Sequence, residues 1–258
     1  MTWSEQQLAY LKAMGIDAWE RRDGPGLEVL PTAATPPGES TSTPQPVPAG
    51  VAAGARPAPA LPDDVSGLDW DELERRVKNC TLCDLHRTRT QAVFGVGNPN
   101  ADWLIVGEAP GADEDRQGEP FVGRAGQLLT AMLRAIGLAR EQVYIANILK
   151  CRPPGNRDPR PEEEASCVPY LWRQIELIQP RLILALGRVA AQRLLQSSAN
   201  LGRLRGSVHR LEATGTPVIV TYHPAYLLRS PGEKRKAWQD LQFARDFVAR
   251  ASREATPA

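Results

Sequence analysis

Four short apolar runs alternate with helical patterns through most of this chain, and they limit the folds open to it. The runs cover residues 102–106, 143–149, 181–186 and 218–221, and three of them are bounded by glycine or proline. Runs so short and so continuously apolar are typical of strands buried on both faces of a parallel sheet. The sequence therefore predicts an α/β fold, with three α/β/α layers around a central, mostly parallel four-stranded sheet.

The stretches between these runs carry helical signals. Apolar residues repeat at helical spacing over 128–136, and residues 161–178 open with a proline and three glutamates, which favour the start of a helix. Further helices are predicted over 188–195 and 233–251. In such a fold, functional groups lie at the carboxyl ends of the strands.

Proline divides the chain into a folded part and an N-terminal extension. Nine of the 23 prolines lie within residues 31–62, where most of the other residues are Ala, Thr, Ser and Gly. Such a segment buries too little apolar surface to offset the entropy lost on ordering. We therefore predict a short amphipathic segment over 1–30, a Pro/Ala-rich disordered linker over 31–65 and a folded domain over 66–258.

The charge distribution and the lack of long apolar runs in the sequence indicate which partners and which location in the cell to expect. The formal net charge is +1, divided into −4 over residues 1–65 and +5 over the remainder. The mildly basic folded part is compatible with a nucleic-acid or phosphate partner. No apolar run approaches the ~20 residues of a membrane helix, and no secretory signal is recognisable at the N-terminus. We expect a cytoplasmic protein with no membrane partner.

The four cysteines all lie in the folded part: Cys80 and Cys83 form a Cys-x2-Cys pair, and Cys151 and Cys167 lie further along. Without a secretory signal, a disulfide framework is not expected. Four thiolates suit a tetrahedral zinc site or an iron–sulfur cluster, and their spacing does not separate the two. The alternative is a chance pair with two buried free cysteines. The loop between Cys151 and Cys167 follows a predicted strand. A metal bound there would therefore stabilise the edge of a functional site at the end of that strand.

Three loops at strand ends carry residues suited to chemistry. Residues 107–126 form a glycine-rich loop that includes Glu108, Glu114 and the lone aromatic Phe121. Backbone N–H groups of such a loop favour an anion, its carboxylates suit acid–base chemistry, and a flat ring stacks on a flat ligand. The alternative is an ordinary surface loop with solvated acids.

The other two loops follow residues 143–149 and 218–221. Asn147 offers one acceptor and two donors, which suit the edge of a base, although strand-end amides also cap backbone. His223 precedes Pro224, which favours an extended backbone, and Tyr226, Leu227, Leu228 and Arg229 follow as an apolar tip with a basic end.

Together these segments resemble the iron–sulfur uracil-DNA glycosylases, family 4 of the uracil-DNA glycosylase superfamily. The resemblance runs from about Leu73 to Phe247 and rests on GEAPGADEDRQGEPFVGRAGQLL, NILKCRPPGNRDP, HPAYLLR and the four cysteines. It implies a catalytic domain over 66–258 that flips uracil out of DNA and hydrolyses its N-glycosidic bond, leaving an abasic site for base excision repair. It also implies a monomer that associates with the nucleoid when on DNA.

The resemblance also implies roles for single residues. Phe121 would stack on the extruded uracil, Asn147 would bind its polar edge, and His223 would stabilise charge at O2. Glu108, or else Glu114, would handle the attacking water. The other implied positions are Gly107 and Ala109 at the base, Tyr226, Leu227, Leu228 and Arg229 at the DNA, and Cys80, Cys83, Cys151 and Cys167 around a structural [4Fe–4S] cluster.

Other functions stay open on the residues alone. A non-catalytic nucleic-acid-binding module with a structural metal would bind DNA without releasing a base. A superfamily glycosylase with another lesion preference would fail on uracil and act on other bases. A redox protein would reduce and oxidise the cluster with a partner, and the polar strand-end residues would then have no role.

Residues 6–22 form a separate short pattern, with Leu8, Leu11, Met14 and Trp19 at amphipathic spacing. A short amphipathic peptide on a disordered tether is typical of a docking element. This stretch resembles the N-terminal peptide of the psi subunit of the bacterial clamp-loader complex, which docks on the chi subunit. The resemblance implies recruitment to a replication or repair protein; the alternative is a helix that packs back on the domain.

Overall fold

The computed structural model describes residues 65–254, together with Glu5, Leu8 and Lys12, of the 258-residue chain. The predicted linker over 31–65, apart from Val65, and nearly all of the predicted segment over 1–30 lie outside the described residues; Val65 is buried and packs in the domain. The docking interpretation of residues 6–22 therefore stays a prediction. No helix in the described part of the chain is long and apolar enough to cross a membrane.

A six-stranded sheet forms the centre of the domain. Its strands are β1 (Val96–Gly97), β2 (Trp103–Gly107), β3 (Tyr144–Asn147), β4 (Leu182–Leu186), β5 (His209–Arg210) and β6 (Pro217–Thr221). They are arranged in the order β1-β3-β2-β4-β6-β5. The four inner strands are parallel, and β1 and β5 pair antiparallel at the two edges. The prediction of a mostly parallel α/β sheet is confirmed, but the sheet has six strands instead of four. Two residues are too few to show a period, so β1 and β5 leave no pattern in the sequence.

Helices in the described part of the chain connect and cover these strands. They are α1 (Trp70–Lys78), α2 (Ala112–Gln117), α3 (Arg124–Ala135), α4 (Pro161–Ile178), α5 (Arg188–Leu194), α6 (Leu201–Leu204), α7 (Pro224–Arg229) and α8 (Lys234–Glu254). Helix α4 has the predicted bounds, and α3, α5 and α8 lie close to theirs. The apolar tip predicted after His223 is instead a helix, α7, because Pro224 occupies its first turn and His223 caps it.

Two apolar cores lie on opposite faces of the sheet, which gives the predicted three layers. On one face, Ile105 and Ile145 pack with α3 and with Trp238 and Leu241 of α8. On the other face, Leu104 and Ile183 belong to a cluster with α4 and α5. Strands buried on both sides have no solvent-facing register, so each side chain's direction is fixed by packing.

A third cluster lies beside the sheet and holds the cysteine region. It joins Leu73 and Val77 of α1 to Phe94 and to the chain that follows β3. Trp70 contacts both Phe94 and Tyr144 edge to face, at 5.2 and 5.1 Å between ring centroids. Helix α1 is thereby fixed against β3, the strand that carries Asn147.

Candidate active site

The carboxyl ends of β2, β3 and β6 open into one cavity of about 380 Å³. The loop after β2 contributes Phe121, β3 ends at Asn147, and His223 follows β6. Glu108, Ala109, Glu114, Tyr226 and Arg229 also line this cavity. Eight of the predicted site residues, far apart in sequence, therefore come together at one place.

Gly107 makes room for two of the side chains that line this cavity. Gly107 and Asn147 are register partners on β2 and β3. A Cβ at Gly107 would lie 2.4 Å from Asn147 Oδ1 and 2.7 Å from Phe121 Cζ. Only glycine permits the amide and the ring to approach the strand this closely.

Asn147 carries an unsatisfied acceptor. The residue is only 3% exposed, and its Oδ1 is buried with no hydrogen-bond partner. A buried acceptor without a donor costs about 1–3 kcal/mol. Such a group at the wall of a cavity is suited to receive a donor from a ligand.

Phe121 occupies a backbone conformation that few aromatic residues adopt. Its φ is 56°, in the left-handed region, and its ring lies 5.5 Å from that of His223. A Cβ on Gly126 would meet the Phe121 carbonyl, so helix α3 packs directly against this strained backbone. Strain of this kind costs of order 1–3 kcal/mol and persists where the surroundings hold it in place.

His223 is held as a neutral imidazole. Its Nδ1 accepts a hydrogen bond of 3.1 Å from the backbone N–H of Ala225. The ring proton is then assigned to Nε2, which leaves Nε2 as a donor. Burial, and secondarily the positive charge of Arg229, lower the pKa of His223 to about 4.

This low pKa predicts a pH dependence of stability. Because the unfolded chain binds the His223 proton near the ordinary value of 6.5 and the folded protein only near 4, stability from this group is complete above pH 6.5. It is lost progressively as the pH falls from 6.5 through 4, by up to about 3 kcal/mol. The free energies of unfolding of the wild type and of His223→Gln, measured with urea, should therefore diverge as the pH is lowered across this range. An NMR titration should find the His223 ring neutral at pH 5.5; a midpoint near 6.5 would contradict this.

Glu108 and Glu114 line the same cavity but differ in their bonding. Glu114 Oε2 accepts from Gly111 N at 3.1 Å, and Oε1 accepts from the backbone N–H groups of Val122 and Gly123. Its carboxylate therefore holds the glycine-rich loop closed. For Glu108, burial raises the pKa, the charge of Asp158 raises it further, and Arg188 lowers it.

The other acids of this loop do not line the cavity. Asp115 is buried, and it accepts hydrogen bonds from the backbone N–H and the hydroxyl of Thr90. Asp113 pairs with Arg116 one turn along α2. These carboxylates shape the loop, and Glu108 and Glu114 are the two acids of this loop that line the cavity.

The loop between Cys151 and Cys167 forms one wall of the cavity, with side chains that the sequence analysis did not single out. Asn156, Arg157 and Asp158 line it. Arg157 makes a two-pronged contact with Glu163, at 2.9 and 2.5 Å. Two signals in the sequence pointed to this loop: its position between two cysteines, and its overlap with the segment NILKCRPPGNRDP that carries the family resemblance.

The predicted DNA-contact residues of α7 divide into two kinds. Tyr226 is 39% exposed and Arg229 is exposed, and both line the cavity. Leu227 is 1% exposed and belongs to the core, and Leu228 packs partly against it. The prediction that Leu227 contacts DNA does not fit this packing, because a residue on the inner face of a helix cannot reach a ligand outside.

The four cysteines line one small cavity at the end of α1. Cys151 and Cys167 are buried, Cys80 and Cys83 are half-buried, and all four are free. Burial raises the pKa of Cys83 to about 11, and the neighbouring Cys151 and Cys80 add to the effect. Among the described residues, no group of three or more His, Cys, Asp or Glu side chains is placed to hold a single metal ion.

The donor set around these thiols suits a bound thiophilic metal group. Arg89 Nη1 donates to Cys151 Sγ at 2.9 Å, and the backbone N–H of Lys150 donates to Cys167 Sγ at 3.1 Å. Hydrogen bonds to sulfur and a nearby cation stabilise thiolate ligands. The residues present therefore fit a four-thiolate group.

A larger cavity, of about 680 Å³, lies on the other side of Asp158, between α4 and α5. Arg188 pairs with Asp158 at 2.9 Å, and Arg193 pairs with Glu164. Both guanidinium groups are thus already matched by carboxylates. None of the predicted site residues lines this cavity, so the smaller one is the candidate active site.

Comparison with known proteins agrees with this geometry. The model of the uracil DNA glycosylase superfamily matches residues 94–242. The chain belongs to the uracil DNA glycosylase superfamily. Within that superfamily, the type-4 uracil-DNA glycosylase of Archaeoglobus fulgidus is 52% identical over 178 residues, which are 67% of this chain and 89% of that protein.

Two further relatives place the chain within the superfamily. The type-4 uracil-DNA glycosylase of Thermotoga maritima is 45% identical over 68% of this chain and 93% of its own length. The type-5 uracil-DNA glycosylase of Pyrobaculum aerophilum is 30% identical over 61% of this chain and 83% of its own length. The predicted resemblance to family 4 is confirmed.

Proposed function

We propose that this protein is a monofunctional uracil-DNA glycosylase, which hydrolyses the N-glycosidic bond of uracil in DNA and leaves an abasic site. One observation carries the proposal. A flat ring (Phe121), an amide with an unsatisfied oxygen (Asn147) and a neutral imidazole (His223) converge on one cavity from three separate segments of the chain. Two of the relatives named above are type-4 uracil-DNA glycosylases, and they support it.

Base recognition follows from the chemistry of these groups. Uracil carries an N–H donor between two carbonyl acceptors, so its N3–H would satisfy Asn147 Oδ1 and its O4 would accept from the amide nitrogen. Phe121 would stack on one face of the ring. A duplex hides the base, so the nucleotide must leave the stack at a cost of a few kcal/mol.

Bond cleavage builds negative charge on the departing uracil and positive charge on the sugar. The Nε2–H of His223 would donate to O2 as the charge develops there, and a neutral donor held in place needs no reorganisation. We assign the water to Glu108, because both oxygens of Glu114 are engaged with backbone N–H groups. Glu114 would then act by holding the loop.

We propose that Cys80, Cys83, Cys151 and Cys167 hold a structural [4Fe–4S] cluster. The support is one cavity lined by all four thiols, with N–H donors at two of the sulfur atoms. When bound, the cluster would tie the 151–167 loop to α1 and supply no step of the reaction. The cavity wall at Arg157 and Asp158 belongs to that loop.

Protein purified without oxygen is expected to release uracil from a labelled duplex that contains one uracil, with strand cleavage only after alkali. Asn147→Ala should lose most of this activity, because it removes both contacts to the base edge. Iron content and visible absorbance, measured on the same preparation, should indicate about four irons per chain.

Other outcomes would point elsewhere. Release of hypoxanthine or mismatched thymine in place of uracil would identify another lesion preference. DNA binding without release of any base would favour a binding module. Zinc in place of iron, with uracil release intact, would overturn the cluster and leave the activity standing.

We also propose that residues 6–22 dock on a replication or repair protein, in line with their resemblance to the psi peptide, and that the enzyme associates with the nucleoid when on DNA. Equal binding of a purified chi subunit by the wild type and by Trp19→Ala would contradict the docking.

A further inference from the structure

The backbone on both sides of Phe121 is held by charged side chains. The φ angle of Phe121 is set by the planar peptide that joins it to Pro120, and its ψ angle by the peptide that joins it to Val122. Arg140 Nη2 donates to the carbonyl of Pro120 at 2.5 Å. On the other side, Glu114 Oε1 accepts from the backbone N–H of Val122 at 3.1 Å. Together the two hydrogen bonds fix the left-handed conformation of Phe121.

Arg140 reaches this loop from another part of the chain, the turn Arg140–Gln142 between α3 and β3. Arg140 is half-buried and Pro120 is buried. A buried carbonyl needs a donor, and Arg140 supplies one from 20 positions further along the sequence. The glycine-rich loop is thereby tied to the turn that precedes β3, the strand that ends at Asn147.

The bonding of Arg140 is incomplete in a way that stability alone does not favour. Its Nη1 is buried and finds no acceptor among the described residues, and an unmade bond of this kind costs about 1–3 kcal/mol. Burial lowers the pKa of Arg140, and nearby carboxylates, that of Glu119 first, oppose the shift. Buried donors are normally satisfied, and exceptions are expected where a side chain serves a functional site. The guanidinium is therefore placed for the Pro120 carbonyl.

We propose that Arg140 is a positioning residue for uracil release: by holding the Pro120 carbonyl, it keeps the Phe121 ring where it can stack on the base. This inference rests on the proposed function and adds to it a residue that does not touch the base. A left-handed aromatic residue is strained and relaxes when its surroundings no longer hold it. Without Arg140, Glu114 would hold only one of the two peptides, and the ring would leave its place 5.5 Å from that of His223.

The test is a double-mutant cycle with Phe121→Ala, measured as single-turnover uracil release from a duplex. Arg140→Met keeps an apolar stem and removes every N–H donor of the side chain. Alone, it should slow release by about 5- to 150-fold, the range for loss of one base–aromatic stack, and by no more than Phe121→Ala does. In the Phe121→Ala background it should cause no further loss, because no ring is left to position.

Three further variants separate positioning from general packing. Arg140→Lys keeps a positively charged donor and should restore most of the rate. Arg140→Gln is neutral and shorter, and it repeats the cycle if the methionine variant does not fold. Arg134→Met is the matched control, because Arg134 is exposed at the end of α3, and it should release uracil at the wild-type rate.

Hydrogen exchange reports the conformation of the loop without catalysis. Arg140→Met should speed exchange in the peptide that covers residues 119–123 and leave the peptide that covers β4 unchanged. A side chain that only stabilised the fold would instead speed exchange in both peptides, in step with the free energy of unfolding.

Equal fold losses from Arg140→Met in the two backgrounds would overturn the proposal, and so would unchanged exchange over residues 119–123. Failure of the proposed function has a different signature. In that case the wild type would release no uracil from the duplex, while exchange over residues 119–123 would still respond to Arg140→Met.

Discussion

Replacing His223 with alanine is expected to slow uracil release about 10²- to 10³-fold, the usual loss when one donor to a developing anion is removed. The imidazole is neutral and Nδ1 is occupied by the N–H of Ala225. The variant therefore loses the Nε2 donor without losing a charge. Single-turnover rates on a uracil duplex measure the effect.

The cap that His223 provides to α7 needs its own control. An alanine at an N-cap costs about 1 kcal/mol of stability, and this could move the helix. His223→Asn keeps a cap acceptor but places no donor at the position of Nε2. If His223→Asn restores activity, the donor role is wrong and the residue acts only as a cap. His209→Ala, at the sheet edge, should leave the rate unchanged.

Replacing Lys150 with methionine is expected to lower the free energy of unfolding by about 3 kcal/mol, since it leaves buried acceptors without their donor. Lys150 is 1% exposed. Its ammonium donates to the carbonyls of Phe94 and Asn147 and to Gln174 Oε1, at 3.2, 3.1 and 2.6 Å. One side chain thus joins the end of β3 to α4 and to the region beside β1.

The measurement for Lys150→Met is the urea midpoint, taken without oxygen, together with iron content and uracil release. Lys78→Met is the matched control. Lys78 is exposed and pairs with Glu74 on the helix surface, so its loss should change stability by under about 0.5 kcal/mol. Equal midpoints for the two variants would mean that the buried ammonium contributes nothing to stability.

The sequence predicts the inner sheet and one long helix well, because each of these elements has a clear local pattern of apolar or capping residues. The runs are apolar throughout over 103–106 and 182–186, and α4 begins at Pro161 ahead of three glutamates. The edge strands β1 and β5 depend on pairing with distant partners, which no local pattern records. Helix α7 was not predicted, because Pro224 and the short apolar run after it are equally compatible with a turn.

The site could be predicted as a set of residues but not as an arrangement. The position of Asn147 and His223 at strand ends, and of Phe121 in the segment that follows β2, was visible in the sequence, and parallel strands bring their carboxyl ends together. The different hydrogen bonding of Glu108 and Glu114 could not be predicted, since it depends on which backbone N–H groups face each carboxylate. The burial of Leu227 likewise depends on how α7 packs against the core.

The short edge strands have a consequence for how this protein behaves in a crowded cell. An exposed sheet edge is a template on which another chain can add a strand and begin to aggregate. Here β1 and β5 are two residues each, antiparallel to their neighbours, and each contains a glycine or a charged or polar side chain. The long, apolar inner strands are thereby shielded on both sides, and the sheet ends in segments too short to recruit a partner.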